Sequence, residues 1–362
     1  MRTLRSETEI INSWKNGSSE PLVSVMCLTY NHGKYIEDAL EGFLIQETNF
    51  PIEVLIHDDA STDNTADIIR QYQEAYPNII KPVYQTENQW SKDKEVIRKA
   101  QYGRIKGKYL AYCEGDDYWI DHSKLQGQVD FLESHLEYVA CFHYTDILNE
   151  EGVMMKMYAE ESKVAFIGDY ISAIQGNYGG STLSVVFRKN EKILSEISYL
   201  SKDCQIGDWP LFLLLSLEGK AYTLPIVMGV YRNHNAGVTK IFNHLHFFQT
   251  RILVMHRIEK FITDTEKIKV LKSFQYRVYF RKLNWLILSG NWHLLQKTLT
   301  LLFKAKKELK IYDKFMPDIE WMPEFDLDIM KINMIKTIVI GFKNFIVKSH
   351  RIDEDPLYLN NK

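Results

Sequence analysis

The chain has 362 residues, more than one average domain and enough for one large or two modest ones. Apolar residues make up 45% and charged residues 25%, an ordinary globular composition that excludes wholesale disorder. The net charge of −3 excludes a generic polyanion binder, so no nucleic-acid partner is expected.

The charge is nonetheless uneven. Residues 1–240 carry 23 Lys and Arg against 34 Asp and Glu, whereas residues 241–362 carry 21 against 13. An acidic body followed by a basic tail points to two jobs. Four cysteines, Cys27, Cys113, Cys141 and Cys204, lie far apart, with no CxxC pair and no histidine at zinc-ligand spacing. They read as small buried hydrophobes in a reducing compartment. Residues 1–20 form a polar leader without a continuous apolar core, so no secretory signal is predicted. No apolar stretch reaches the ~20 residues of a membrane-spanning helix. A cytoplasmic protein is expected.

In chain order, Pro21 opens a strand, LVSVMCLTY, that ends in the turn-forming Asn31-His32-Gly33. A helix follows over KYIEDALEGFLIQ, with Ile36, Leu40, Phe43 and Leu44 at helical spacing. IEVLIHDDAS is a second strand, and TADIIRQYQEAYP a second helix with Ser61, Thr62 and Asp63 available as caps. KPVYQ is a short third strand, a helix spans about Asp93–Tyr102, and KYLAYCEGDD is a fourth strand ending in acids. Strands alternating with helices predict a parallel sheet with crossover helices. The unbroken apolar strands suit a sheet covered on both faces.

From 121 to 240, helical segments flank a glycine-rich stretch (Gly176, Gly179, Gly180) and one strand, STLSVVFR. GDWPLFLLLSLEGKAYTLP then reads as a helix capped by Asp208, with Pro210 in its first turn and Gly219 at its end. The pattern beyond 241 is helical. No internal repeat or low-complexity linker occurs.

Ligands of open parallel sheets sit outside the carboxyl ends of the strands. Three predicted strand ends are polar: Thr29-Tyr30-Asn31, His57-Asp58-Asp59 and Glu114-Gly115-Asp116-Asp117. Acids gathered on one rim repel each other unless a cation or hydrogen-bond donors compensate. Hard oxygen ligands suit Mg²⁺ or Mn²⁺. The alternative for Asp59 is a cap on the following helix. Neither GxGxxG after the first strand nor GxxxxGK[ST] is present, which disfavours a dinucleotide dehydrogenase.

The segments VSVMCLTYNHGKYIEDALEGFLIQE, EVLIHDDASTDNT, KGKYLAYCEGDDYW and GDWPLFLLLSLEGKAYTLPIVMGVYRNH together resemble the family 2 glycosyltransferases of the GT-A fold. The likeness is greatest to non-processive enzymes of bacterial surface-polysaccharide assembly, and covers about residues 21–240. It implies a Rossmann-like, mixed and mostly parallel α/β domain. The nucleotide-binding half would be 21–120, the acceptor-binding half 121–240, and 241–362 a helical extension. The implied reaction is metal-dependent, inverting transfer of one sugar from a nucleoside-diphosphate sugar, UDP-linked, to a glycan or lipid-linked acceptor. By this resemblance Thr29, Tyr30 and Asn31 line the nucleoside pocket, Asp58 meets the uracil ring, and Asp59 lies close by. The DxD-like motif falls on Glu114-Gly115-Asp116, where Glu114 replaces the usual first Asp. Asp116 is the implied metal ligand, with Glu114 beside it and Asp117 near the sugar. Asp208 would be the catalytic base, held and kept ionised by the helix dipole. Arg232 and His234 would come from a loop closing over the diphosphate, as phosphate partner and further metal ligand; a structural role for His234 stands as the alternative. Gly179–Thr182 would shape the acceptor cleft. The QxxRW sequence of processive members is absent.

Residues 331–348 hold four Lys and no acid among apolar residues. They suit peripheral contact with an anionic membrane surface or, equally, packing on the body. Two other readings are a nucleotidyltransferase of related fold and a non-catalytic nucleotide-sugar-binding assembly partner.

Overall fold

The computed structural model describes residues 4–15, 20–156, 164–204, 207–235, 237, 244–288 and 298. The chain divides into two compact units, Met1–Phe242 and Asn243–Lys362.

In the first unit the leader carries a helix, α1 (Glu7–Asn12), closed by a capping box in which Ser6 and Glu9 bond each other's backbone N–H. The Glu7 carboxylate accepts from the N–H groups of Asn78 and Ile79, which ties α1 to the sheet. The parallel half then follows the expected alternation: β1 (Val23–Thr29), α2 (Ile36–Leu44), β2 (Ile52–Asp58), α3 (Thr65–Ala75), β3 (Ile80–Tyr84), α4 (Lys94–Tyr102) and β4 (Tyr109–Tyr112). The strands pair in the order β3-β2-β1-β4, all parallel. Every residue of β2 is buried, as are six of seven in β1, because helices cover both faces.

The second half departs from its sequence reading. After β5 (Tyr118–Trp119) and α5 (Lys124–Ser134) comes a twelve-residue strand, β6 (Tyr138–Asn149). Short strands β7 (Met154–Met155) and β8 (Phe166–Gly168), helix α6 (Tyr170–Gln175), β9 (Val186–Arg188), α7 (Glu191–Ser201) and α8 (Asp208–Glu218) lead to a fourteen-residue strand, β10 (Lys220–Asn233). STLSVVFR splits into a 3-10 turn, Thr182–Ser184, and the shorter β9. β6 and β10 were not legible because β10 contains Pro225 and Gly229, which read as breaks. The fold accommodates them in register shifts between Leu224 and Val227 and between Val227 and Gly229.

The complete order is β3-β2-β1-β4-β9-β6-β10-β5, a mixed sheet that is parallel along most of its length. β9 runs antiparallel to both β4 and β6, and β10 runs parallel to β6. The ends of β6 and β10 therefore emerge on the same rim as those of β1, β2 and β4. All four cysteines are buried, as expected of small hydrophobes.

The second unit contains α9 (His244–Ile258) and α10 (Thr265–Leu288), packed through Val254, Met255, Ile258 and Leu271. No described helix is long and apolar enough to cross a membrane. The basic segment 331–348 lies outside the described residues.

One core residue is out of keeping with its surroundings. Lys124 is fully buried, its Nζ has no hydrogen-bond partner, and it lies 3.8 Å from the centre of the Trp119 ring. Burial pulls its pKa down to about 7. The unfolded chain, with a lysine near pH 10.4, then binds the proton more tightly, so stability rises with pH between about 7 and 10. Lys124→Met should raise stability by about 1–3 kcal/mol at neutral pH, with a gain that fades towards pH 10. Melting curves of both proteins across that range check it.

Candidate active site

The strand ends meet as a layered rim. Thr29 closes β1 and is buried, whereas the Tyr30 ring is exposed. Asn31 takes a left-handed backbone, φ 56°, which Asn tolerates. Its Oδ1 accepts from the Thr62 N–H at 2.8 Å, and its own N–H donates to Ser61 Oγ at 2.9 Å. Asn31 thus clamps the turn after β1 to the turn after β2. Asp58 is 2% exposed and accepts from the hydroxyl and N–H of Ser61. Burial raises its pKa, with the Ser61 bonds opposing.

Asp59 does not cap α3. The capping position belongs to Asn64, and Asp63, one residue earlier, accepts from the Thr65 N–H at 3.0 Å. The two Asp59 oxygens instead accept from the Gln89 and Trp90 N–H groups, each at 2.8 Å. The carboxylate expected beside the nucleotide therefore anchors the loop after β3.

The acidic turn after β4 is pressed against β1. A Cβ on Gly115 would lie 2.6 Å from Thr29 Oγ1, so only glycine fits between Glu114 and Asp116. Burial, then the charges of Asp116 and Asp208, push Glu114 up to about 8. Asp117 is raised by burial and by the charges of Asp116 and Glu114. It is buried, and its Oδ1 accepts from the Arg232 N–H at 2.8 Å.

Arg232 also differs from its expected role. It lies in β10, not in a loop. Its guanidinium pairs with Asp38, donates to the Asp116 carbonyl at 2.8 Å, and lies between the rings of Tyr35 and Tyr118. These contacts make it a clamp on the acidic turn.

His234, just beyond β10, brings Nε2 to 3.1 Å from Asp116 Oδ2. The same oxygen lies 3.6 Å from His32 Nε2. His32 was read only as part of a turn; its position directly after a strand end was the available signal. The Nδ1 atoms of both imidazoles are buried without partners. Among the described residues no three His, Cys, Asp or Glu side chains already form a closed cation cage. A carboxylate faced by imidazole, within a cluster of acids, is nevertheless a donor set suited to a divalent cation whose remaining ligands come from a diphosphate and water.

Asp208 is the first residue of α8; the capping position belongs to Gly207. Its Oδ1 lies 2.6 Å from the Trp209 N–H, and its Oδ2 lies 3.4 Å from Thr182 Oγ1. The helix dipole and these bonds favour the ionised form, but burial outweighs them and raises the pKa. The depressed value expected from the dipole alone is thereby corrected. Asp208 lines a cavity of about 240 Å³ together with Gly179, Gly180, Ser181, Trp209 and Phe212. Gly179 has φ +153°, and a Cβ there would stand 2.7 Å from the Phe142 ring.

Residues 24–193 match the family model for glycosyl transferase family 2. The uncharacterised protein Rv1520 of Mycobacterium tuberculosis is 36% identical over 220 residues, 60% of each chain. The chain thus spans about 60% of the length of the first such relatives. WfaP of Escherichia coli, named UDP-Glc:alpha-D-GlcNAc-diphosphoundecaprenol beta-1,3-glucosyltransferase, is 29% identical over 60% of this chain and 80% of its own. Among solved structures, TarS of Staphylococcus aureus in complex with UDP superposes with a TM-score of 0.53 at 19% identity, covering 78% of this chain and 80% of its own. The mannosyltransferase PcManGT of Pyrobaculum calidifontis, in complex with GDP-Man and Mn²⁺, gives 0.52 at 16% identity, covering 89% and 87%. The sheet order and these matches lead to one conclusion: residues 24–193 are similar to glycosyl transferase family 2, within a unit that has the GT-A fold.

Proposed function

We propose that the protein transfers one sugar, with inversion, from a UDP-linked donor to a hydroxyl of a glycan or lipid-linked acceptor in surface-polysaccharide synthesis. The observation that carries this reading is the placement of Asp208. It lines a cavity, while Glu114 lies within electrostatic reach of both Asp208 and Asp116. A base and a candidate cation-binding acid thus flank one acidic rim. The name of WfaP and the UDP bound to TarS support the donor assignment.

In this reading Thr29, Tyr30 and Asn31 border the nucleoside, and Asp58 accepts from its ring N–H. Asp116 and His234 would hold a Mg²⁺ or Mn²⁺ ion, with Glu114 adjacent. That ion would supply Lewis-acid neutralisation of the departing diphosphate. Asp117 and Arg232 hold the turn in place from behind. Asp208 takes the proton from the acceptor hydroxyl as its oxygen attacks the anomeric carbon. The bond from that carbon to the diphosphate oxygen breaks, and nucleoside diphosphate leaves. The elevated pKa makes Asp208 a stronger base than a surface aspartate, provided the pH keeps it ionised.

The first test is a thermal-shift titration with UDP, dTDP, GDP and ADP, each with and without Mn²⁺. A metal-dependent rise with UDP is expected; no shift with any nucleotide in folded protein would overturn the proposal in favour of a non-catalytic role. Asp116→Asn should weaken the metal-dependent part of UDP binding, read by calorimetry. Unchanged affinity would remove Asp116 from the ligand set. Asp208→Asn should retain UDP binding and lose about 10²- to 10⁴-fold in turnover. Because burial raises the Asp208 pKa, the acidic limb of the kcat–pH profile should lie above the ordinary aspartate value of about 3.9. A limb at or below pH ~4 would contradict the buried base.

A further inference from the structure

The cavity beside Asp208 also constrains what enters it, if Asp208 is the base proposed above. Its volume of about 240 Å³ corresponds to about eight waters at ~30 Å³ each. That lies below the ~300–1,000 Å³ of sites for drug-sized ligands. The space suits one sugar ring, not two.

Its walls are of two kinds. Tyr144, Trp209 and Phe212 contribute aromatic side chains, and Asn177 and Ser181 contribute neutral polar ones. Among the described lining residues there is no Lys or Arg. His143 does not supply positive charge, because burial and the nearby Lys124 lower its pKa well below the usual range. Its Nδ1 lies 2.8 Å from the Tyr144 carbonyl oxygen, which a neutral imidazole satisfies by donating from Nδ1. The charge of Asp208 contributes to the raised pKa of Glu114, another acid within its electrostatic reach. A carboxylate or phosphate entering this space would meet a buried like charge, with no cation among the described lining residues to compensate it. The apolar faces of a neutral pyranose, by contrast, match the aromatic walls.

We infer that the cavity selects an acceptor whose reacting residue is a neutral pyranose, and that it rejects uronic acids and sugar phosphates at that position. Any charged part of the acceptor, such as a lipid-linked diphosphate, then lies outside the cavity.

Saturation-transfer NMR on the full chain with UDP and Mn²⁺ tests this directly. Methyl glucoside, methyl N-acetylglucosaminide and methyl glucuronide would be compared at pH 7.5. At least one neutral glycoside should bind, with the glucuronide weaker by about tenfold or more, a difference of ~1.4 kcal/mol. Asn177→Lys, a change at an exposed position, should narrow that gap by adding a cation at the cavity mouth. Equal or tighter binding of the glucuronide to the unaltered protein would overturn the selectivity while leaving the proposed base intact. Saturation of none of the three would overturn the cavity as an acceptor site, and Asp208→Asn turnover would then show whether the base assignment falls with it.

Discussion

Mutual repulsion among carboxylates at the ends of parallel strands is the constraint around which this domain is organised. Glu114, Asp116 and Asp117 share one short turn, Asp58 and Asp59 end the neighbouring strand but one, and Asp208 is near enough to raise Glu114. Each is wholly or largely removed from water, which makes its charge costly. The fold meets that cost locally. Asp59 receives two backbone N–H groups, Asp117 receives one, and Asp116 receives an imidazole. Burial and the charges of Asp116 and Asp208 push Glu114 up to about 8, and burial with the charges of Asp116 and Glu114 raises Asp117 well above the usual carboxylate range.

This division separates scaffold from chemistry. Acids with backbone donors are fixed and serve to shape loops. Asp116 is met instead by the imidazoles of His234 and His32, and Glu114 lies within the field of Asp116 and Asp208. Arg232 links the two groups. By holding Asp117 through its N–H and the Asp116 carbonyl through its guanidinium, it sets the direction of the acidic turn. Tyr35 and Tyr118 on either side limit its freedom. Gly115 completes the arrangement by allowing the turn to rest against Thr29.

Much of the first half was legible because its signals are local. Unbroken apolar runs marked β1 and β2, helical spacing marked α2, and Asp93 marked the start of α4 by capping the Glu95 N–H. The second half was less legible. β6 and β10 are stabilised by pairing with each other over eleven residues, and neither the proline nor the bulges of β10 fit a local strand pattern. The capping box of α1 was present as Ser6 and Glu9, although the leader reads as merely polar without attention to that spacing. His32 was similarly in view, but its approach to Asp116 depends on the fold of segments far apart in sequence.

The sequence by itself determined the alternation of strands and helices, the delivery of acids to strand ends and the placement of Asp208 at a helix start. These follow from side-chain periodicity and backbone preference within a few residues. Only the tertiary structure decided which acids are engaged by backbone donors, that Arg232 is clamped, and that two histidines converge on Asp116. It also decided the direction of the Asp208 pKa shift, since burial outweighs the helix dipole. Hydrogen-bond partners and dehydration are set by chain segments distant in sequence, and no local pattern encodes them.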